Sequence, residues 1–210
     1  VGYGRGLDNL RLAVELGVID RAAVSLDDTV RGADMVVLAV PVGAIGGALT
    51  AIAPALAEGC VVTDVGSVKG SVVAAARFAL GGRFARFVPG HPIAGTERSG
   101  VRASFAGLFR GRRVILKPEP DTEEEAVDRV RAMWELTGAQ VVVMSAAEHD
   151  QVLAASSHLP HVLAYALVDL FVRRDDHRRI FECAAGGFRD FTRIASSDPE
   201  LWRDICLANR

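Results

Sequence analysis

The segment Pro89-Gly90-His91-Pro92-Ile93-Ala94-Gly95-Thr96-Glu97 sets a histidine between a glycine and a proline. Those neighbours argue against a regular element at His91 and for a loop that holds its imidazole toward a ligand. With a reference pKa of about 6.5, a neutral imidazole can accept a proton from an alcohol at neutral pH. The competing reading of a single histidine is a buried, hydrogen-bonded structural residue.

Three further segments carry residue types that could contact a ligand. Asp64-Val65-Gly66-Ser67-Val68-Lys69 ends one apolar run and opens a helical one, so Ser67 is either a ligand contact or an N-cap worth about 1 kcal/mol. Ser156-Ser157-His158-Leu159-Pro160-His161 puts two histidines three apart, with Pro160 suited to the first turn of a helix. A metal site there lacks a third ligand at helical spacing, which leaves substrate contact or capping. In Gly186-Gly187-Phe188-Arg189-Asp190-Phe191-Thr192-Arg193, the two arginines are four apart on one face of an expected helix. A guanidinium offers parallel donors to a carboxylate; the plainer alternative is a salt bridge to Asp190, Asp198 or Asp204.

These residues need a scaffold, and the first two thirds of the chain provide one by alternating β-branched runs with helical stretches. That order is the sign of α/β units around a parallel sheet. Strands are expected at residues 35–40, 60–65, 86–88, 113–117 and 140–144, with a fragment at 1–3, and their nearly continuous apolar character predicts burial on both faces. Helices are expected at 7–16, 42–57, 69–80 and 122–137, with Gly17 and Gly138 as stops. From residue 146 onward the pattern is helical, which predicts two closely packed domains, 1–145 and 146–210. In an open sheet the carboxyl ends of the strands face the ligand crevice, placing Val40, Pro41 and Ser67 there. Val1-Gly2-Tyr3-Gly4-Arg5 resembles a strand end where a dinucleotide fold reads the adenosine ribose, with Gly4 where NAD folds carry an acid and Arg5 suited to a 2′-phosphate; an ordinary turn is the alternative. The glycine-rich phosphate loop is expected upstream of Val1, and Arg210 reads as lying within a helix that continues.

Composition narrows the partners. The 210 residues carry 24 Lys and Arg against 26 Asp and Glu, a net charge of −2, and half are apolar, which fits a globular domain. Basic residues cluster only in short groups, Arg110 with Arg112-Arg113, Arg173-Arg174 and Arg178-Arg179, which argues against nucleic acid and for a small-molecule ligand. No uninterrupted apolar run approaches the roughly 20 residues of a membrane span, and no signal peptide is evident, so the expected setting is the cytoplasm, away from membranes. Cys60, Cys183 and Cys206 form no metal or disulfide pattern and are expected to be reduced core thiols.

Taken in order, D-V-G-S-V-K, P-G-H-P-I-A-G-T-E, S-H-L-P-H and G-G-F-R-D-F-T-R-I-A-S-S-D-P with W-R-D-I just after resemble the prephenate, arogenate and broad-specificity cyclohexadienyl dehydrogenases over essentially the whole chain. The resemblance implies a Rossmann-like parallel-sheet domain, its first strand missing, followed by an all-helical domain that mediates a homodimer. It implies oxidative decarboxylation with NAD or NADP and no metal. His91 would bond the substrate ring hydroxyl, Ser67 would assist near that hydroxyl and the nicotinamide, and Arg193 would grip a carboxylate. His161 would orient substrate, while Thr96, Glu97, Ser157, Asp150, Gly186 and Trp202 match supporting positions. Gly4, Arg5, Val40 and Pro41 fall on the cofactor side.

Two rivals remain. A β-hydroxyacid-type dehydrogenase would need a catalytic lysine in the helical domain, but the chain's lysines are Lys69 and Lys117, both in the first. A non-catalytic dinucleotide sensor would retain the scaffold without needing His91 and Arg193.

Overall fold

A computed structural model of the chain describes residues 1–96 and 99–210. The first part holds six strands, β1 (Met35–Leu38), β2 (Val61–Asp64), β3 (Phe87–Val88), β4 (Gly90–Pro92), β5 (Arg113–Leu116) and β6 (Gln140–Val143). Among them run α1 (Leu7–Glu15), α2 (Leu26–Val30), α3 (Val42–Ile52), α4 (Gly70–Leu80) and α5 (Glu124–Leu136). The second part is helical: α6 (Ala146–Leu153), α7 (Leu159–Val172), α8 (His177–Glu182), α9 (Gly186–Thr192) and α10 (Pro199–Ala208).

Strands β1, β2 and β3 form a parallel sheet in that order, and β4, β5 and β6 form a second in which β5 and β6 are parallel. The two sheets share a core, because Val61 and Val88 from the first pack with Val114 and Leu116 from the second against α5. On the opposite face Val62 and Phe87 pack under α3 and α4. This alternation along β2 gives the central strands two buried faces, as expected; β2 is buried throughout. The edge strands depart from it, with Val37 of β1 42% exposed and β6 only partly covered.

Several expectations need correction. The His91 segment is not wholly a loop: β4 pairs antiparallel with β5, His91 opposite Ile115, so the second sheet is mixed rather than parallel throughout. Pro92 is accommodated because β4 is the edge strand of its sheet, where a missing N–H need not break a ladder bond. The fragment at residues 1–3 makes only a single parallel bridge, Gly2 to Ala22. The helix expected over 42–57 ends at Ile52 and tightens into a 3-10 turn at Ala53–Ala55, with Pro54 supplying the break. Helix α10 closes at Ala208 rather than running through Arg210. Cys60 is buried, but Cys183 is exposed and Cys206 only partly covered, so the three are not all core thiols. Gly17 and Gly138 do follow α1 and α5 as stops, in left-handed conformations at φ 67° and 80°.

The helical part docks back onto the first. Ile205 of α10 is 2% exposed within the core beneath α3, and Leu201 and Trp202 pack at its margin. The stretch Ala146–Val172 is one continuous helix by length, with mean hydropathy 1.2 in its most apolar window and 11% of that window buried. It is long and apolar enough to cross a membrane, a property that core helices of non-membrane proteins share. It is not uniform, however: Ala154–His158 forms a π turn, a local widening found often at functional sites.

Candidate active site

Asp64 ends β2 and Lys69 precedes α4, and both side chains are completely buried. Lys69 Nζ donates to Asp64 Oδ2 at 2.5 Å and to the Gly90 carbonyl at 2.6 Å. Asp64 also accepts from the backbone N–H of Gly66 at 2.7 Å and of Gly90 at 3.2 Å. Together these bonds tie the loop after β2 to the residue before His91. The approach is close enough that a Cβ on Gly90 would stand 2.9 Å from the Asp64 carbonyl oxygen. Burial pushes the Lys69 ammonium below its usual range, against the attraction of Asp64 and Asp150.

His91 thus emerges from a fixed strand beside a buried cation. Burial, with Lys69, His149 and His158 nearby, lowers its pKa to about 3, so the ring is neutral at physiological pH. His91 Nδ1 lies 2.8 Å from Nε2 of His149, which is itself fully buried on α6, and His149 Nδ1 lies 2.7 Å from Asp150 Oδ1. Among the described residues, no group hydrogen-bonds His91 Nε2.

Asp150 has a second task. Its carboxylate accepts the N–H of Lys69 and of Gly70, each at 2.8 Å, so it caps α4 from the other part of the chain. Burial alone would raise its pKa, but the bonds from His149, Lys69 and Gly70 outweigh this and hold it below the usual carboxylate range. Two expectations change here. Ser67 does not cap α4, whose N-cap is Lys69 without a side-chain cap of its own. Asp150, expected against substrate, is occupied by protein donors.

The network continues into the S-H-L-P-H segment. Asn209 Nδ2 donates to the Asp150 carbonyl at 2.8 Å and lies 3.2 Å from His158 Nδ1, leaving the buried His158 Nε2 without a partner among the described residues. His158 meets Trp202 edge to face, and Trp202 stacks on His161 with ring centroids 3.4 Å apart. The Ser157 carbonyl in the π turn accepts from His161 Nδ1 at 2.9 Å. Burial lowers the pKa of both His158 and His161, so both are neutral at pH 7.

The structure therefore gathers His91, Asp150, Ser157, His161 and Trp202 into one connected region, joined by His158, for which substrate contact or capping was expected, and it adds Lys69, Asp64, His149 and Asn209, which the sequence had not marked as site residues. The adjacent His149-Asp150 pair was the available signal, but its meaning depends on a contact with His91 58 residues away. Thr96 is exposed beyond β4, Gly186 opens α9, and Arg193 begins a 3-10 turn at Arg193–Ser196 rather than continuing the helix of Arg189. Glu97 lies outside the described residues. On the other flank, Val40, Pro41 and Ser67 follow β1 and β2 at the open sheet edge. There α3 begins at Pro41 with no side-chain cap and no acid in its first turn. Gly4 and Arg5 lie before α1, with open space where a Gly4 Cβ would be.

Residues 1–143 match the sequence profile of the prephenate dehydrogenase nucleotide-binding domain, and residues 145–210 that of the prephenate dehydrogenase dimerization domain. A cyclohexadienyl dehydrogenase from Zymomonas mobilis is 44% identical over 199 residues, which cover 94% of this chain and 67% of that protein. A prephenate dehydrogenase from Bacillus subtilis is 41% identical over 200 residues, 94% of this chain but 54% of that protein, so the chain spans little more than half of the latter's length. The crystal structure of a prephenate dehydrogenase from A. aeolicus with hydroxyphenyl propionate and NAD+ superposes with a TM-score of 0.90 at 42% identity, covering 99% of this chain and 72% of that one.

Proposed function

The chain belongs to the prephenate dehydrogenase family, and from that premise we propose that the protein oxidatively decarboxylates prephenate, arogenate or both, using NAD or NADP, in tyrosine biosynthesis. The observation that carries this reading is His91: a neutral imidazole on a fixed strand, its Nδ1 edge engaged by His149 and its Nε2 left for a substrate hydroxyl.

In this reading, His91 takes the ring hydroxyl proton as the carbinol carbon is oxidised. NAD(P)+ supplies the chemistry of accepting the hydride from that carbon. The bond to the ring carboxylate then breaks, its electron pair entering the ring as CO2 leaves, and aromatisation makes the step effectively irreversible. Arg193 grips a substrate carboxylate through charge-assisted hydrogen bonds. His161, backed by Trp202 and fixed by the Ser157 carbonyl, orients the substrate from the helical side. Ser67 stands between substrate and cofactor, Thr96 and Gly186 support the pocket, and Glu97 is assigned to substrate binding on the family pattern alone.

The residues present fit the dinucleotide at the open edge of β1. The first turn of α3 has no side-chain cap and no acid of its own, although the Asp204 carboxylate of α10 lies beside Gly43, and a helix N-terminus suits an electron-rich group. Val40 and Pro41 would line this edge, and Gly4 with Arg5 would meet the adenosine ribose, leaving room for either cofactor. We assign residues 1–145 to cofactor binding and 146–210 to substrate binding and dimerisation. A homodimer through the helical part is supported by the apolar side chains that Ala146–Val172 exposes, among them Leu163 at 51% and Leu170 at 59%. A cytoplasmic enzyme acting on a small soluble acid agrees with this assignment, with neither membrane nor nucleic acid as partner.

The experiment is reduced-nicotinamide formation by the full-length protein given prephenate and arogenate, each with NAD and with NADP. Turnover with either acid supports the reading, and silence in all four combinations would favour a binding module without chemistry.

A further inference from the structure

His91, His149 and Asp150 form a line of three titratable side chains that bridges the two parts of the chain, and only one arrangement of protons satisfies it in the neutral state. Asp150 is an acceptor, held ionised by the N–H groups of Lys69 and Gly70. Its Oδ1 is 2.7 Å from His149 Nδ1, so that nitrogen must carry the proton. A neutral His149 then presents an unprotonated Nε2. That atom lies 2.8 Å from His91 Nδ1, which must therefore donate. The remaining nitrogen of His91, Nε2, is left as the proton acceptor.

We propose that His149 and Asp150 are positioning residues that fix the tautomer and ring orientation of His91, so that Nε2 rather than Nδ1 takes the substrate hydroxyl proton. The proposal rests on His91 being the acceptor for the reaction assigned above. When the O–H bond breaks, its proton binds His91 Nε2 and His91 becomes imidazolium. The Nδ1 proton of His91 is then shared along the line toward His149, whose own Nδ1 proton faces the Asp150 carboxylate, and the new positive charge is stabilised without another charged group entering the site. The facing groups set the balance: Lys69 and the other two histidines oppose a cation on His91, while Asp150 favours it. Asp64 is committed to Lys69. The helix cap gives the arrangement its rigidity, since the carboxylate that orients His149 is pinned by two backbone donors at the start of α4.

The test begins with a measurement that does not depend on turnover. The chain has five histidines, few enough for each ring to be assigned by substitution in nitrogen-15 spectra of the full-length protein. His91 is expected to show a protonated Nδ1 and an unprotonated Nε2 near neutral pH; the opposite tautomer, or an even mixture, would overturn the proposal. In steady-state assays His149→Phe should lower kcat about 100-fold, with KM changed by less than about threefold, the size expected when an orienting partner of a general base is lost. His149→Gln, whose side-chain oxygen can accept from His91 Nδ1, should recover about tenfold of that loss. A His149→Phe enzyme with kcat within about threefold of the parent would also refute the relay. If neither acid is turned over, the assigned reaction fails, but the tautomer of His91 still decides whether the relay exists.

Discussion

In the proposed reaction His91 serves two purposes that pull against each other: it must be neutral to accept a proton, and it must tolerate the charge once it has one. Burial beside Lys69 secures the first, lowering its pKa to about 3. The Asp150 carboxylate favours the second, as would the polyanionic acids proposed as substrate. Replacing His91 with Asn should reduce kcat by about 100-fold or more, read as the rate of reduced-cofactor formation. Arg193→Ala should act differently, raising KM first through loss of a charge-assisted contact worth roughly 2 kcal/mol. The lowered His91 value also makes a stability prediction. Between its ordinary value of about 6.5 and about 3, the unfolded chain binds a proton that the folded chain refuses, so stability is full above that window and falls as pH drops through it. His158 and His161, also lowered, act with the same sign. Melting temperature should therefore decline from pH 7 to pH 5, and His91→Asn should make that decline shallower.

Between elements, the site depends on two clasps whose partners are far apart in sequence. Lys69 joins β2 to β4 through Asp64 and the Gly90 carbonyl. Lys69→Met would leave Asp64 buried without its cation and should destabilise the fold by about 3–5 kcal/mol in denaturant titrations. Asp150→Ala would uncap α4 and release His149, with an expected cost of about 2 kcal/mol or more. The elements themselves were largely legible, because β-branched runs bounded by glycine and helical periodicity report local burial directly. Strand β4 was not, since Gly90-His91-Pro92 has no strand propensity and is extended only because β5 accepts it in antiparallel register. The π turn at Ala154–His158 was equally hidden, as it inserts into a segment of ordinary helix formers.

For the whole molecule, the motifs exposed His91, Ser157, His161 and Trp202 as neighbours because their residue types and order resemble a family pattern. Nothing in the spacing revealed that Asp150 faces α4 or that His149 touches His91, as both contacts are made only when α6 packs on the first part. The helical part leaves an apolar surface on α7, which the proposed homodimer would cover with a second copy. Leu163→Glu with Leu170→Glu should shift the full-length protein from dimer to monomer in sedimentation velocity, whereas unchanged sedimentation would place the interface elsewhere. The most direct test of the account is simultaneous measurement of reduced nicotinamide and CO2 from prephenate and from arogenate, for the parent and for His91→Asn. The account predicts equal amounts of both products from at least one acid, with the rate falling about 100-fold or more in the variant. Neither product from either acid, or a variant as fast as the parent, would contradict it.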